Sequence, residues 1–160
     1  MRKIGIILLL FITFAFTKKD EFTDFVYTVN LFPSFAPNSE IAIKKTGKIG
    51  KINLTILDNS YPNKKSQYSA KLDDADFEYF AQSIGDVSMS EMKSLDGLSA
   101  NDGTTFRNIF TQNGKITEFE FSTPKKDSKY YKIANAVIGL LKKKFIGKYE
   151  QKYFAELGNY

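Results

Sequence analysis

The feature that most constrains the fold is the dipeptide Asn113-Gly114, which lies between two runs of alternating apolar and polar residues. This arrangement is the strongest short-range signal for a two-residue β-hairpin, because both central turn residues need a positive φ. Counting outward from the turn predicts these cross-strand pairs: Phe106 with Phe121, Arg107 with Glu120, Asn108 with Phe119, Ile109 with Glu118, and Phe110 with Thr117. The hairpin then has one phenylalanine face, which we expect to be buried, and one solvated face.

Further strands are predicted before this hairpin. Alternation of apolar and polar residues marks four segments, which are 21–32, 40–45, 49–57 and 67–72. The second and third of them are joined by Thr46-Gly47-Lys48, which is typical of a hairpin turn. The chain therefore contains two hairpins and two additional strands.

Two longer segments have the 3.6-residue period of an amphipathic helix. The first begins after Asp73, a favourable N-cap, and ends near Gly85. Its apolar stripe consists of Phe77, Phe80, Ala81 and Ile84. The second begins after the N-cap Ser128 and ends near Gly147, and residues 148–160 are predicted to form a short C-terminal helical tail.

Strands joined by hairpins, with single helices between groups of strands, are typical of an α+β fold. We therefore predict an antiparallel sheet of five or six strands, with two helices packed on its phenylalanine-rich face. Residues 18–160 are enough for one such domain with its own core. Residues 86–101 combine apolar side chains with turn signals, and they fit either an ordered edge of the core or a loop.

The first 17 residues have the character of a secretory signal peptide. Arg2 and Lys3 precede an apolar run from Ile4 to Phe16, which is too short for a transmembrane helix of about 20 apolar residues. We therefore expect residues 1–17 to direct export, to a bacterial periplasm or to the outside of the cell. The absence of cysteine favours such a setting over that of disulfide-rich secreted modules.

The composition excludes several classes of active site. The chain has no histidine and no cysteine. It therefore lacks Ser-His and Cys-His nucleophile pairs and the usual zinc ligands. The glycines occur singly, and neither a P-loop nor a dinucleotide-binding motif is present. We predict no cofactor, no metal site and no enzymatic activity.

Acidic residues at the start of the first helix are the remaining candidates for catalysis, namely Asp73, Asp74, Asp76 and Glu78. Two carboxyl groups that flank a sugar can hydrolyse a glycosidic bond, so a small carboxylate-dependent hydrolase of cell-wall glycans is an alternative. Acidic side chains also stabilise the positive end of a helix dipole without any catalytic role, and we prefer that simpler interpretation.

Positive charge is concentrated towards the C-terminus. Residues 125–160 contain nine lysines and three acidic residues, whereas residues 18–124 contain 12 basic and 15 acidic residues. The lysines expected to contact an anionic surface are Lys142, Lys143, Lys144, Lys148 and Lys152. Peripheral attachment to a membrane through this segment is a second alternative, and export disfavours nucleic acid as the ligand. Lysines at a helix C-terminus also suit the helix dipole without any ligand.

The solvated face of the 102–124 hairpin is a further candidate surface. Its residues are Arg107, Ile109, Ile116, Glu118 and Glu120. If no helix covers them, this partly apolar and partly charged surface is suited to a protein partner. Export, small size and the lack of a catalytic constellation together predict a binding protein, such as an inhibitor, an immunity-like protein or an accessory interaction module.

Overall fold

The computed structural model describes residues 24–58, 64–85, 103–112, 114–122, 124, 126 and 128–157. The predicted signal peptide, residues 1–17, lies outside them, as does the segment 86–101.

Six strands and three helices make up the described part of the chain. They are β1 (Asp24–Pro33), β2 (Asn38–Thr46), β3 (Ile49–Asp58), β4 (Lys64–Leu72), α1 (Asp74–Gly85), β5 (Thr104–Gln112), β6 (Lys115–Ser122), α2 (Lys129–Lys144) and α3 (Lys148–Glu156). All neighbouring strands are antiparallel, and their order in the sheet is β4-β3-β2-β1-β5-β6. The predicted α+β fold with an antiparallel sheet is confirmed, and three helices, not two, pack on the sheet.

The hairpin of β5 and β6 has the predicted register. Phe106 lies opposite Phe121 and Phe110 opposite Thr117. Gly114 has a φ of 74°, as the turn requires. The four phenylalanines of the hairpin are buried, and the rings of Phe106 and Phe121 stack with centroids 4.9 Å apart. Local turn chemistry therefore sets the pairing of these two strands.

The buried side of the sheet, called the inner face here, receives side chains from every strand. Its buried apolar residues are Phe25, Tyr27, Val29, Leu31, Ile41, Ile43, Ile52, Leu54, Ile56, Leu72, Phe106, Phe110, Phe119 and Phe121. Helix α1 packs on this face, because Phe77 meets the ring of Phe25 edge-on at 4.9 Å and Phe80 meets Tyr27 at 5.0 Å. The predicted stripe of α1 is buried, and Asp73 Oδ1 accepts from the backbone nitrogen of Asp76 at 2.8 Å as the predicted N-cap.

Asn108 is a polar residue that the inner face buries completely. The Tyr27 hydroxyl donates a hydrogen bond to its Oδ1. Its Nδ2 donates to the carbonyl oxygens of Phe106 at 3.0 Å and Phe119 at 3.2 Å. Burial raises the pKa of the Tyr27 phenol far above its usual value, so the hydroxyl remains a donor. The amide is therefore satisfied, and it links β1, β5 and β6.

Helix α2 ends earlier than predicted. It stops at Lys144, and Phe145 has an extended backbone (φ −117°, ψ 92°) that lets its ring pack against Tyr68 at 6.1 Å. Gly147, predicted as the end of this helix, is instead the N-cap of α3. The corner is stabilised by Gln151, whose Nε2 donates to the carbonyl oxygens of Lys142 at 3.1 Å and Phe145 at 2.7 Å.

Helix α3 lies within residues 148–160, the segment predicted as a helical tail, and it packs against one end of the sheet. The Tyr153 hydroxyl donates to Ser39 Oγ at 2.8 Å, and burial raises the pKa of Tyr153 to about 12. Thr104 Oγ1 donates to the carbonyl oxygen of Leu157 at 3.1 Å. Tyr149 on this helix is 48% exposed, whereas Tyr153 and Phe154 are buried.

We expect Tyr27→Phe to lower the free energy of unfolding by about 1–2 kcal/mol, because the Asn108 oxygen would be buried without a donor. Urea denaturation of the two proteins measures this difference. Tyr79→Phe removes an exposed hydroxyl and should change stability by less than about 0.5 kcal/mol. Equal effects of the two changes would show that the buried hydrogen bond contributes nothing.

Candidate functional site

The acidic residues at the start of α1 belong to an ion cluster that joins α1 to the end of α2. Asp76 is buried, at 4% exposure. Lys143 Nζ lies 2.5 Å from its Oδ1, and Lys144 Nζ contacts its Oδ2. Lys144 Nζ also lies 3.6 Å from Asp73 Oδ2. We refer to Asp73, Asp76, Lys143 and Lys144 as the Asp76 cluster.

The Asp76 carboxyl has the wrong properties for a general acid. Burial raises its pKa, but the hydrogen bonds from Lys143 and Lys144 outweigh burial and lower the pKa to about 2. The pKa of Lys143 is raised for the same reason, by its hydrogen bond to Asp76. A glycosidase needs a carboxylic acid whose pKa is raised, so that it can protonate the leaving group near neutral pH. The geometry of Asp76 is that of a structural anion.

The neighbouring carboxylate Asp74 is exposed. Lys45 Nζ lies 3.5 Å from Asp74 Oδ1 and 4.5 Å from the centroid of the Phe77 ring. This lysine comes from β2, so the ionic contacts at the start of α1 extend to the sheet. An ion pair with one exposed partner contributes little to stability.

The five C-terminal lysines do not form one unpaired basic patch. Lys143 and Lys144 bind Asp76, and Lys152 Nζ lies 3.9 Å from Glu156 Oε1. Lys148 is exposed at the start of α3, and Lys142 is half-buried near the end of α2. Contact of this segment with an anionic surface remains a prediction, but part of its charge is already balanced within the chain.

The other side of the sheet is called the outer face, and no described helix packs on it. All three helices contact the inner face, and none of the described side chains of the outer face is buried. The five residues predicted for a protein partner lie together there on β5 and β6, and they are Arg107, Ile109, Ile116, Glu118 and Glu120.

This hairpin surface combines apolar and charged groups. Arg107 Nε is 3.0 Å from Glu120 Oε2, and the guanidinium carbon of Arg107 lies 5.8 Å from the centre of the Phe32 ring. Arg107, Glu118 and Glu120 line a shallow depression of about 280 Å³. Ile116 is 63% exposed beside them. The predicted cross-strand ion pair is therefore present, and the aliphatic residue beside it faces solvent.

A row of three lysines lies on the opposite half of the outer face. Lys44, Lys51 and Lys71 are directly opposite one another on β2, β3 and β4. We call these three residues the lysine row. Counting from the turn at Gly47 places Lys44 opposite Lys51, but the position of Lys71 depends on the pairing of β4 with β3, which no short turn signal sets. The full row is visible only in the assembled sheet.

Comparisons with known proteins do not assign this chain to a family. The chain matches no protein family model, and a search of curated protein sequences finds no relative. Within the ranges described above, no group of acidic side chains is arranged to hold a metal ion. None of the described helices combines the length and the apolar character that crossing a membrane requires.

We expect Asp76→Asn to lower the free energy of unfolding at neutral pH by about 2–4 kcal/mol, because two lysines lose their buried counter-charge. The pKa of Asp76 is lowered in the folded state, so its contribution is present above the unfolded pKa of about 3.9. It is lost as the pH falls from about 5 to about 2.

Unfolding measured across this pH range should therefore show wild type and Asp76→Asn converging in stability as the pH approaches 2. Asp74→Asn is the matched control, since Asp74 has a 76% exposed side chain and should change stability little at any pH. A constant difference between wild type and Asp76→Asn would contradict the role assigned to the carboxylate.

Proposed function

We propose that this chain is an exported, non-enzymatic binding protein that docks onto a protein partner through the outer face of its sheet. It would act as an inhibitor, an immunity-like protein or an accessory module. The observation that carries the proposal is the open outer face, on which Ile109 and the exposed Ile116 lie among the charged residues of β5 and β6. Aliphatic groups surrounded by charged groups are typical of interaction surfaces.

The charges on β6 favour a basic partner. Glu118 is exposed and has no ion-pair partner among the residues that the structure describes. Among the described residues, Glu120 forms an ion pair with Arg107 alone. A partner that presents an apolar group to Ile109 and basic side chains to Glu118 complements both features.

The apolar run of residues 4–16, which follows Arg2 and Lys3, is typical of a signal peptide and supports export of the chain. The partner is therefore proposed to be a protein of the cell envelope or of the extracellular medium.

Site-specific photocrosslinking in the native cell envelope tests the docking surface. A crosslinking amino acid at Ile109 should yield one defined adduct, whereas the same amino acid at Gln82 on the exposed side of α1 should not. The protein identified in the adduct is then purified, and its affinity for wild type and variants is measured. We expect Ile109→Asn and Glu118→Lys each to weaken binding about tenfold or more.

Lys126→Glu changes charge at an exposed residue outside the strands, and it should leave that affinity unchanged. Equal crosslinking from Gln82, or an affinity insensitive to both Ile109→Asn and Glu118→Lys, would show that the partner binds elsewhere.

A further inference from the structure

Two hairpin tips at one end of the sheet carry the same three residues. The tip between β2 and β3 is Gly47-Lys48-Ile49, and the tip between β5 and β6 is Gly114-Lys115-Ile116. Both glycines have a positive φ, 56° and 74°. Ile49 is 71% exposed and Ile116 is 63% exposed. Each tip therefore presents one lysine and one aliphatic side chain to solvent.

The two tips lie at the same end because β1 pairs antiparallel with both β2 and β5. Phe25, near the start of β1, is opposite Lys45 on one side and Gln112 on the other. Four strand spacings separate β3 from β6, or roughly 19 Å. The alternation of side chains places Ile49 and Ile116 on the outer face in both cases.

The lysine row crosses the outer face at this same end. The lysine row is part of a longer line of cross-strand partners that includes every strand of the sheet. From Lys44 this line continues through Val26 and Thr111 to Ile116. The three lysines are exposed, and Val26 is 36% exposed. The line across this end is therefore cationic on β2–β4 and apolar at Val26 on β1 and at Ile116 on β6.

The lysine row forms no ion pair with any side chain that the structure describes. This contrasts with Lys143 and Lys144, which bind Asp76. Like charges directly opposite each other in a sheet destabilise it. An external group that supplies negative charge would relieve this repulsion.

We infer that this end of the sheet is a docking surface for an anionic lipid bilayer. Anionic headgroups would meet the lysine row and the tip lysines, while Ile49 and Ile116 enter the boundary between headgroups and acyl chains. A soluble polyanion would neutralise the lysines, but it would leave the two exposed isoleucines without a role. The aliphatic residues on both tips therefore favour lipid over a dissolved anionic polymer.

This inference goes beyond the proposed protein docking, because the lysine row and Ile49 lie apart from Ile109 and Glu118. A chain that fails to bind a protein through Ile109 can still bind lipid, and the reverse also holds. Ile116 is common to both surfaces, so variants at Lys44, Lys51 and Lys71 test the lipid surface alone, and variants at Ile109 and Glu118 test the protein surface alone.

Vesicle co-sedimentation tests the lipid surface, using the protein as recovered from the cells that express it. Vesicles of phosphatidylcholine alone are compared with vesicles that also contain phosphatidylglycerol. We expect binding to the anionic vesicles only, and we expect it to weaken as salt is added. Because wild type and variants share the same N-terminus, residues 1–17 cannot account for differences between them.

Replacement of Lys44, Lys51 and Lys71 together by Gln should weaken binding to anionic vesicles on the order of 100-fold, since each lysine near the surface contributes about a factor of five. The matched control replaces Lys142, Lys148 and Lys152 by Gln, which removes the same charge from α2 and α3. This control should bind at least tenfold more tightly than the lysine-row variant. Equal losses in the two triple variants, or no loss in the lysine-row variant, would overturn the proposal.

The isoleucines separate lipid from a soluble polyanion. Ile49→Asn with Ile116→Asn should weaken vesicle binding on the order of tenfold and leave binding to polyphosphate unchanged. Ile109→Asn, the same change away from the tips, should not affect vesicle binding. If the tip variant binds vesicles as well as wild type does, only an anion site is present and the lipid assignment is wrong.

The unbalanced charge has a second readout that needs no ligand. Lys51→Gln removes the central charge of the lysine row and should raise the melting temperature by about 2 °C at low salt. The gain should shrink at high salt, because screening already weakens the repulsion. A melting temperature that is unchanged or lower at low salt would show that the charge of the row is balanced, and it would overturn the argument for an external anion.

Discussion

The structure depends on one constraint, which is that all six strands bury the same face. Side chains alternate along a strand, so a slip of one residue in any pairing would move polar groups into the core. Contacts of Phe77 with Phe25 and of Phe80 with Tyr27 hold α1 on that face. Helices α2 and α3 complete the layer, so that the core has a sheet on one side and helices on the other.

Two polar groups inside this layer serve different parts of the fold. Asn108 satisfies its amide with Tyr27 and with backbone carbonyls, and it thereby links three strands. Asp76 forms ion pairs with Lys143 and Lys144 at the end of α2, and it thereby links α1 to α2. Both groups are paired, which is what makes their burial tolerable in a region of low dielectric constant.

The same alternation that builds the core leaves the outer face to solvent, and its two halves differ in chemistry. The strands β2–β4 carry the lysine row, whereas β6 carries Glu118 and Glu120. Because the positive and the negative charges lie on different halves of the face, one face can support two contacts. A protein partner is proposed for the β5–β6 half, and an anionic lipid surface for the end with the hairpin tips.

Local signals in the sequence determined the β5–β6 register and the starts of two helices, because Gly114, Asp73 and Ser128 act on residues only a few positions away. Tertiary structure alone decided what the charged groups do. Asp76 binds Lys143 across 67 positions of sequence, and Lys71 joins the lysine row only through the pairing of β4 with β3. Such contacts depend on how distant elements pack, which neither periodicity nor turn chemistry encodes.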